Sequence, residues 1–165
     1  MNADGRTMQP ACGRREFLGG TVALIALCVP SAAPSKGFEV QHSDAEWRRR
    51  FGPQRYAVLR QASTERAFTS QLNTEHRRGT FTCAGCGLPL FTSSTKFESG
   101  TGWPSFFRPL NNAVVTRSDR SFLMERTEVL CRRCGGHLGH VFNDGPRPTG
   151  LRYCMNGLAL RFVAA

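Results

Sequence analysis

The chain has 165 residues, enough for one domain with a substantial core and a short N-terminal extension. Its formal net charge is +10, and this charge rests almost wholly on arginine because Lys36 and Lys96 are the only lysines. The arginines are spread along the chain rather than gathered in one run. The composition therefore favours a solvated basic surface over a nucleic-acid interface, with an acidic partner as the alternative.

Residues 1–35 have the pattern of an export signal. The pair Arg14-Arg15 is followed by Glu-Phe-Leu, then by an apolar run from Thr21 to Val29 and a small-x-small site ending at Ala33. Paired arginines in this position resemble the twin-arginine type of signal, which predicts export to the periplasm. The apolar run is shorter than the roughly 20 residues of a membrane-spanning helix, so no stable membrane insertion is expected. The mature domain is then expected to span residues 36–165.

The sequence after this leader predicts a cap of short helices over a sheet. Ser43-Asp-Ala-Glu46 has the form of a capping box, in which a serine side chain and a glutamate side chain satisfy each other's backbone amides. Gly52-Pro53 ends this helix and suits the first turn of a second one, with three residues on its buried side: Tyr56, Val58 and Leu59. A third helical segment is expected from Thr64 to Leu72, where Phe68 and Leu72 have i, i+4 spacing.

After Gly79 the periodicity becomes that of β-strands separated by turns rich in Gly, Pro, Asn and Asp. Apolar and polar residues roughly alternate over Ser121–Leu130, as in a half-buried antiparallel strand. Several short strands without long helices between them predict a mainly β fold of small antiparallel sheets or a partly open barrel. The candidate strands are Leu88–Phe91, Ala113–Thr116, Ser121–Leu130, His137–Phe142, Leu151–Asn156 and Leu158–Val163.

Four of the seven cysteines form two Cys-x-x-Cys-Gly units, Cys83/Cys86 and Cys131/Cys134. Each unit has the spacing of half a zinc site, and two of them complete a closed shell of four thiolates. Such a shell leaves no open coordination position, so one structural zinc per chain is expected. The alternatives are two disulfides or a redox-active pair, since a single Cys-x-x-Cys unit can also exchange thiols.

Cys154 is left without a partner, because Cys12 and Cys28 fall in the leader. A lipoprotein anchor through Cys28 is less favoured, since Leu27 stands where a small residue is expected. An unpaired cysteine in an apolar strand is usually a small buried hydrophobe. Its neighbours favour a nucleophile instead, because Arg152 and Asn156 would share its face of the strand and a cation stabilises a thiolate.

Two further groups accompany Cys154. His137 and His140 lie in a separate predicted strand, and a histidine can transfer a proton near neutral pH. Trp103 lies in a Gly- and Pro-rich loop, Ser99–Phe107, and offers an apolar face suited to a methyl or thioether group. Filling the core is the equally balanced alternative for this tryptophan.

Together these motifs resemble the B-type methionine sulfoxide reductases, which reduce the R epimer of methionine sulfoxide in oxidised proteins. The likeness runs from about residue 44 to residue 163 and would make the chain an oxidoreductase of oxidative-stress protein repair. The motifs that carry it are Cys83-x-x-Cys86-Gly, Lys96 to Phe106, Cys131 to Phe142, Asp144-Gly-Pro146 and Gly150 to Asn156.

The resemblance assigns a role to each candidate residue. Cys154 would attack the sulfoxide sulfur and become a sulfenic acid. His137, His140 and Asn156 would bind and polarise the sulfoxide oxygen, while Arg152 would hold Cys154 at a reactive pKa. Trp103 would pack on the substrate methyl group, with Phe142 in the same pocket. The implied fold has two antiparallel sheets, with zinc on the far side from the active site.

Thr101 departs from the family pattern, because many members have a resolving cysteine at this place. A thioredoxin-like protein or another external thiol would then have to regenerate Cys154. Two alternatives from other classes remain, a zinc-stabilised β module that binds a ligand without turnover and a basic zinc ribbon that binds nucleic acid. Cys154 beside its histidines favours the enzyme, and a nucleic-acid partner is not expected.

Overall fold

The computed structural model of the protein describes residues 37–120 and 125–165. The predicted export signal lies outside these residues, as does the start of the predicted strand Ser121–Leu130. Within the described ranges, no helix is both long enough and apolar enough to cross a membrane. The export and cleavage predictions therefore stay predictions.

The first two helices form where the sequence predicts them. Helix α1 spans Asp44–Arg50, and its capping box is complete: the Ser43 hydroxyl accepts from Glu46 N, and the Glu46 carboxylate accepts from Ser43 N. Helix α2 spans Pro53–Gln61 with proline in its first turn. The side chains that the helices bury are Trp47 on α1 and Tyr56, Val58 and Leu59 on α2.

The predicted third helix, Thr64–Leu72, is wrong. The segment is irregular, and only Gln71–Thr74 forms a short 3₁₀ turn. Its amides bond to distant residues instead of to carbonyls four residues back: Glu65 N donates to Asn156 Oδ1, and Phe68 N donates to Gly102 O. Phe68 is consequently 74% exposed with φ +64° rather than buried on a helix face. Long-range partners override the i, i+4 pattern here.

The described strands form two antiparallel sheets, which confirms the predicted fold class. One sheet has three strands in the order β2-β1-β9, and the other has six in the order β3-β4-β8-β7-β6-β5. The strands are β1 Gly79–Cys83, β2 Pro89–Thr92, β3 Lys96–Phe97, β4 Ser105–Phe106, β5 Val114–Asp119, β6 Arg126–Cys131, β7 His137–Phe142, β8 Arg152–Met155 and β9 Leu160–Ala164.

Sequence periodicity located β7 to the residue and the other long strands to within a few positions, but it missed β1, β3 and β4. The predicted alternation toward Leu130 is wrong, because four consecutive residues, Glu128–Cys131, are buried in β6. A register shift between Val129 and Leu130 interrupts the pairing of β6 with β7 and breaks the two-residue period. β6 also has a neighbour on each side, β5 and β7, as an interior strand does.

Three phenylalanines join the two sheets. Phe91 from β2 stacks on Phe106 from β4 with ring centroids 4.3 Å apart, and Phe81 from β1 meets the same ring edge-on at 4.9 Å. All three are fully buried. Offset and edge-on aromatic pairs each contribute about 0.5–1.5 kcal/mol beyond the burial of their surface. This contact fixes the loop between β3 and β4, which carries Trp103, against the three-stranded sheet.

Candidate active site and metal centre

The four cysteines of the two Cys-x-x-Cys-Gly units lie together, with their sulfur atoms all within 4.8 Å of one another. The contacts cross between the units: Cys83 Sγ is 3.7 Å from Cys134 Sγ, and Cys86 Sγ is 3.5 Å from Cys131 Sγ. All four thiols are free, so the disulfide alternative is not what the structure holds.

This cluster fits a tetrahedral metal ion. Zn–S bonds of about 2.3 Å in a tetrahedron place neighbouring sulfurs about 3.8 Å apart, close to the distances between the two units. Hydrogen bonds among the sulfurs lower the pKa of Cys86 and Cys131 and raise the pKa of Cys83 and Cys134. Cysteines bind a cation as thiolates, so these four thiols would release protons when a metal ion binds.

Cys154 lies in β8, the strand between β4 and β7. Its register partners are Ser105 on β4 and His140 on β7, so the candidate nucleophile and one predicted histidine are adjacent across the sheet. Thr101 is the other close neighbour, with Oγ1 3.8 Å from Cys154 Sγ. The residue at the family's resolving position therefore lies beside the sulfur, but with a hydroxyl instead of a thiol.

A cavity of about 160 Å³ opens over Cys154. It brings together most of the residues that the sequence singled out, and its lining includes Thr64, Trp103, His140, Phe142, Cys154 and Asn156. Trp103 is partly exposed in the cavity wall, so it does not fill the core, and its indole Nε1 donates to Glu65 O at 3.0 Å. The ring is thereby fixed with one face available to a small apolar group.

The two histidines occupy different environments. His140 lines the cavity, and its Nε2 lies 2.8 Å from Asp119 Oδ2. His137 is only 3% exposed and lies outside that lining, with Nδ1 2.6 Å from Glu128 Oε1. Burial lowers the pKa of His137 against the opposing effect of Glu128, so this imidazole is neutral near pH 7. The rings meet edge-on at 5.4 Å.

Arg152 lies between the cavity wall and a carboxylate. Its guanidinium sits over the Phe142 ring, 4.4 Å from the centroid, and donates twice to Asp144 at 2.8 and 2.7 Å. The bond to Asp144 is the largest cause of the raised pKa of Arg152, and the Cys154 sulfur contributes less. Asp144 thus holds the Arg152 side chain in place. The sequence motifs include Asp144, but they did not indicate this role.

Asn156 and Glu65 form a second unit of the cavity wall. Asn156, 3% exposed, accepts from Glu65 N through Oδ1 and donates through Nδ2 to Leu138 O at 3.1 Å. The Glu65 carboxylate, also buried, accepts from Gly157 N at 2.5 Å and Leu158 N at 2.8 Å. Sequence reasoning missed Glu65, because no local signal marks a carboxylate whose partners are about ninety residues away.

Comparison with known proteins identifies the arrangement. The family model described as the SelR domain matches residues 51–164. The peptide methionine sulfoxide reductase MsrB of Leptospira interrogans is 56% identical over 126 residues, which cover 76% of this chain and 96% of that protein. The chain belongs to this family of B-type peptide methionine sulfoxide reductases. The resemblance drawn from the sequence motifs is confirmed.

Other members show the same relationship across distant organisms. The reductase MsrB of Thiobacillus denitrificans is 56% identical over 121 residues, covering 73% of this chain and 92% of its own length. The chloroplastic reductase B1 of Arabidopsis thaliana is 52% identical over 123 residues, which cover 74% of this chain and 61% of the plant protein. The matched family segment contains the cysteine cluster and every residue named around the cavity.

Proposed function

We propose that this reductase converts the R epimer of methionine sulfoxide in proteins to methionine, with Cys154 as the nucleophile. The observation that carries the proposal is the position of Cys154 beside His140, under a cavity with the apolar walls Trp103 and Phe142. Those rings suit the thioether and methyl groups of the substrate, while His140 and Asn156 offer polar atoms for its oxygen. Family membership supports the reduction of methionine sulfoxide in general. The preference for the R epimer and the roles of the individual residues are proposed here in addition.

In the reductive step, the Cys154 thiolate attacks the sulfoxide sulfur and the sulfoxide oxygen takes up protons. The net change is transfer of one oxygen: a thiol and a sulfoxide give a cysteine sulfenic acid and a thioether. His140 is positioned to deliver a proton, since the Asp119 carboxylate holds Nε2 and orients the ring. Arg152, fixed by Asp144, places a positive charge near the Cys154 sulfur.

The return step uses an external thiol. A first thiol attacks the Cys154 sulfenic acid, forming a mixed disulfide and releasing water, and a second thiol then frees Cys154 and leaves the reductant as its disulfide. A thioredoxin-like protein or a small thiol can supply both. The support is the position of Thr101, 3.8 Å from Cys154, where a resolving cysteine would otherwise stand, together with the engagement of Cys83, Cys86, Cys131 and Cys134 in their own cluster.

Zinc is proposed as the ion that this cluster binds, held by Cys83, Cys86, Cys131 and Cys134. Four thiolates satisfy the ion fully, so it supplies a cross-link between two turns and takes no part in the reaction. Export to the periplasm by the twin-arginine route is proposed from the leader sequence alone, with Arg14-Arg15 as its signal.

Turnover of a small sulfoxide tests the proposal against its rival, a β module that binds without reaction. With dithiothreitol as reductant, the wild type should consume N-acetyl-methionine-R-sulfoxide and leave the S epimer. Cys154→Ser should retain the metal and the circular dichroism spectrum of the wild type and lose turnover. Replacement of His140 by asparagine should slow the reaction by about 10²–10⁴-fold, the usual contribution of a positioned acid. Residual turnover by the serine variant at the wild-type rate would refute the assignment of the nucleophile.

A further inference from the structure

The segment Thr64–Phe68 forms a rim that runs from the cavity to the outer surface. Thr64 lines the cavity, Glu65 O accepts the indole N–H of Trp103 at 3.0 Å, and Phe68 N donates to Gly102 O at 2.8 Å. Two hydrogen bonds therefore join this segment to the Trp103 loop. Phe68 itself is outside the cavity lining and contacts Gly102, the residue before Trp103.

Phe68 combines two unusual properties. It is 74% exposed, the highest exposure of any large apolar side chain that the structure describes. Its φ of +64° lies in the left-handed region, where a bulky residue is a rare outlier and is strained. A strained backbone that persists beside an active site points to a functional constraint.

The Phe68 ring packs closely against Gly102. A Cβ atom on Gly102 would lie 2.8 Å from Phe68 Cδ2 and 2.8 Å from Phe68 N, so the close approach requires glycine. The ring covers Gly102, which is buried, and turns the rest of its surface to solvent. Gly102 follows Thr101, whose hydroxyl is 3.8 Å from the Cys154 sulfur, and precedes Trp103.

We propose that Phe68 is a docking contact for the polypeptide substrate, specifically for an apolar side chain next to the oxidised methionine. The inference rests on the proposed function. A methionine sulfoxide side chain that reaches Cys154 fills the cavity, so its own backbone must lie at the rim. Phe68 is the exposed apolar group at that rim, continuous with Trp103 through Gly102. A free amino acid derivative has no neighbouring side chain and leaves the ring uncovered.

Three substrates distinguish a role of Phe68 in peptide binding from a role in the reduction of the sulfoxide. They are N-acetyl-methionine-R-sulfoxide amide and two pentapeptides with a central methionine-R-sulfoxide, flanked on both sides by leucine in one and by serine in the other. The wild type should show kcat/KM about fivefold higher for the leucine peptide than for the serine peptide, the ratio expected from burying part of one apolar side chain.

Two variants of Phe68 and one control complete the design. Phe68→Asn removes the ring but keeps a residue that tolerates positive φ, and it should abolish the preference while changing kcat/KM for the small substrate less than twofold. Phe68→Tyr keeps the ring and should keep the preference. Val163→Thr alters another exposed apolar residue, on the three-stranded sheet, and should have no effect on any of the three substrates.

Several outcomes would overturn the inference. They are a wild type that does not distinguish the two peptides, a Phe68→Asn variant that loses activity equally on all three substrates, and an effect confined to the KM of a protein thiol reductant. The last result would assign the ring to the reductant. The measurement on the small substrate tests the proposed function separately. A wild-type protein that is inactive on this substrate would refute that function.

Discussion

Replacing the Glu65 carboxylate should both destabilise the protein and disturb the cavity. Its two oxygens accept the N–H groups of Gly157 and Leu158, which follow Asn156 directly. Glutamine at this position keeps one acceptor but turns its NH₂ group toward the other amide. One buried N–H then loses its partner, and such a group costs about 1–3 kcal/mol. We expect Glu65→Gln to lower the free energy of unfolding by that amount.

The same change should reduce activity more than its effect on folding explains. Glu65 also contacts the cavity wall through its backbone, which bonds Asn156 Oδ1 and Trp103 Nε1. Displacement of groups that position a substrate commonly costs up to about 100-fold in rate, and we expect kcat/KM for a small sulfoxide to fall by about 10- to 100-fold. Urea titration and steady-state kinetics, measured where the variant is fully folded, give the two quantities.

Glu75→Gln is the matched control. Its carboxylate also accepts a backbone amide, from Arg77 at 3.0 Å, but it takes no part in the cavity. This variant should keep kcat/KM within twofold of the wild type and should lower stability less than Glu65→Gln does, as expected for a surface ion pair. The reasoning about Glu65 would be refuted if Glu65→Gln changed stability by less than about 0.5 kcal/mol and left kcat/KM unaltered.

Three further predictions concern the metal, the catalytic cycle and the leader. Metal analysis should find about one zinc per chain, and Cys83→Ser or Cys134→Ser should lower metal content and melting temperature together; full activity in verified metal-free protein would contradict a structural role. One equivalent of sulfoxide without reductant should leave a Cys154 sulfenic acid that dimedone traps, whereas Thr101→Cys should yield an intramolecular disulfide by mass spectrometry; a Cys154 disulfide within the wild-type mature chain would restore a two-cysteine cycle. A reporter fused after Lys36 should leave the cytoplasm only when Arg14 and Arg15 are present, and equal export of the double lysine variant would favour the general secretory route.

The sequence predicted best the features whose causes are local. The capping box at Ser43 and Glu46 depends on atoms three residues apart, and Pro53 begins α2 because its fixed φ suits a first helical turn. The spacing within each Cys-x-x-Cys unit is likewise local, and the two matched units were sufficient to predict the cluster that the structure shows.

Features fixed by distant partners were not predictable in this way. Phe68 has the spacing of a helical core residue, yet its amide bonds to Gly102 and its ring faces solvent. The Glu65 carboxylate is buried and hydrogen-bonded because Gly157, 92 residues later in the chain, donates its backbone N–H to it. Motif resemblance placed Cys154, His140, Trp103 and Asn156 in one site, but it did not indicate that Glu65 and Asp144 hold their neighbours in position.

The cysteine cluster also couples metal binding to folding. Cys83 ends β1 in one sheet, and Cys131 ends β6 in the other, so an ion held by both ties together strands that are far apart in sequence. The site exists only when the two sheets are folded together, so an ion that binds it and not the unfolded chain stabilises the fold by its binding free energy. Four thiolates and one ion can thus stabilise this small domain without a disulfide, leaving Cys154 as the one cysteine among the described residues that lies outside the cluster.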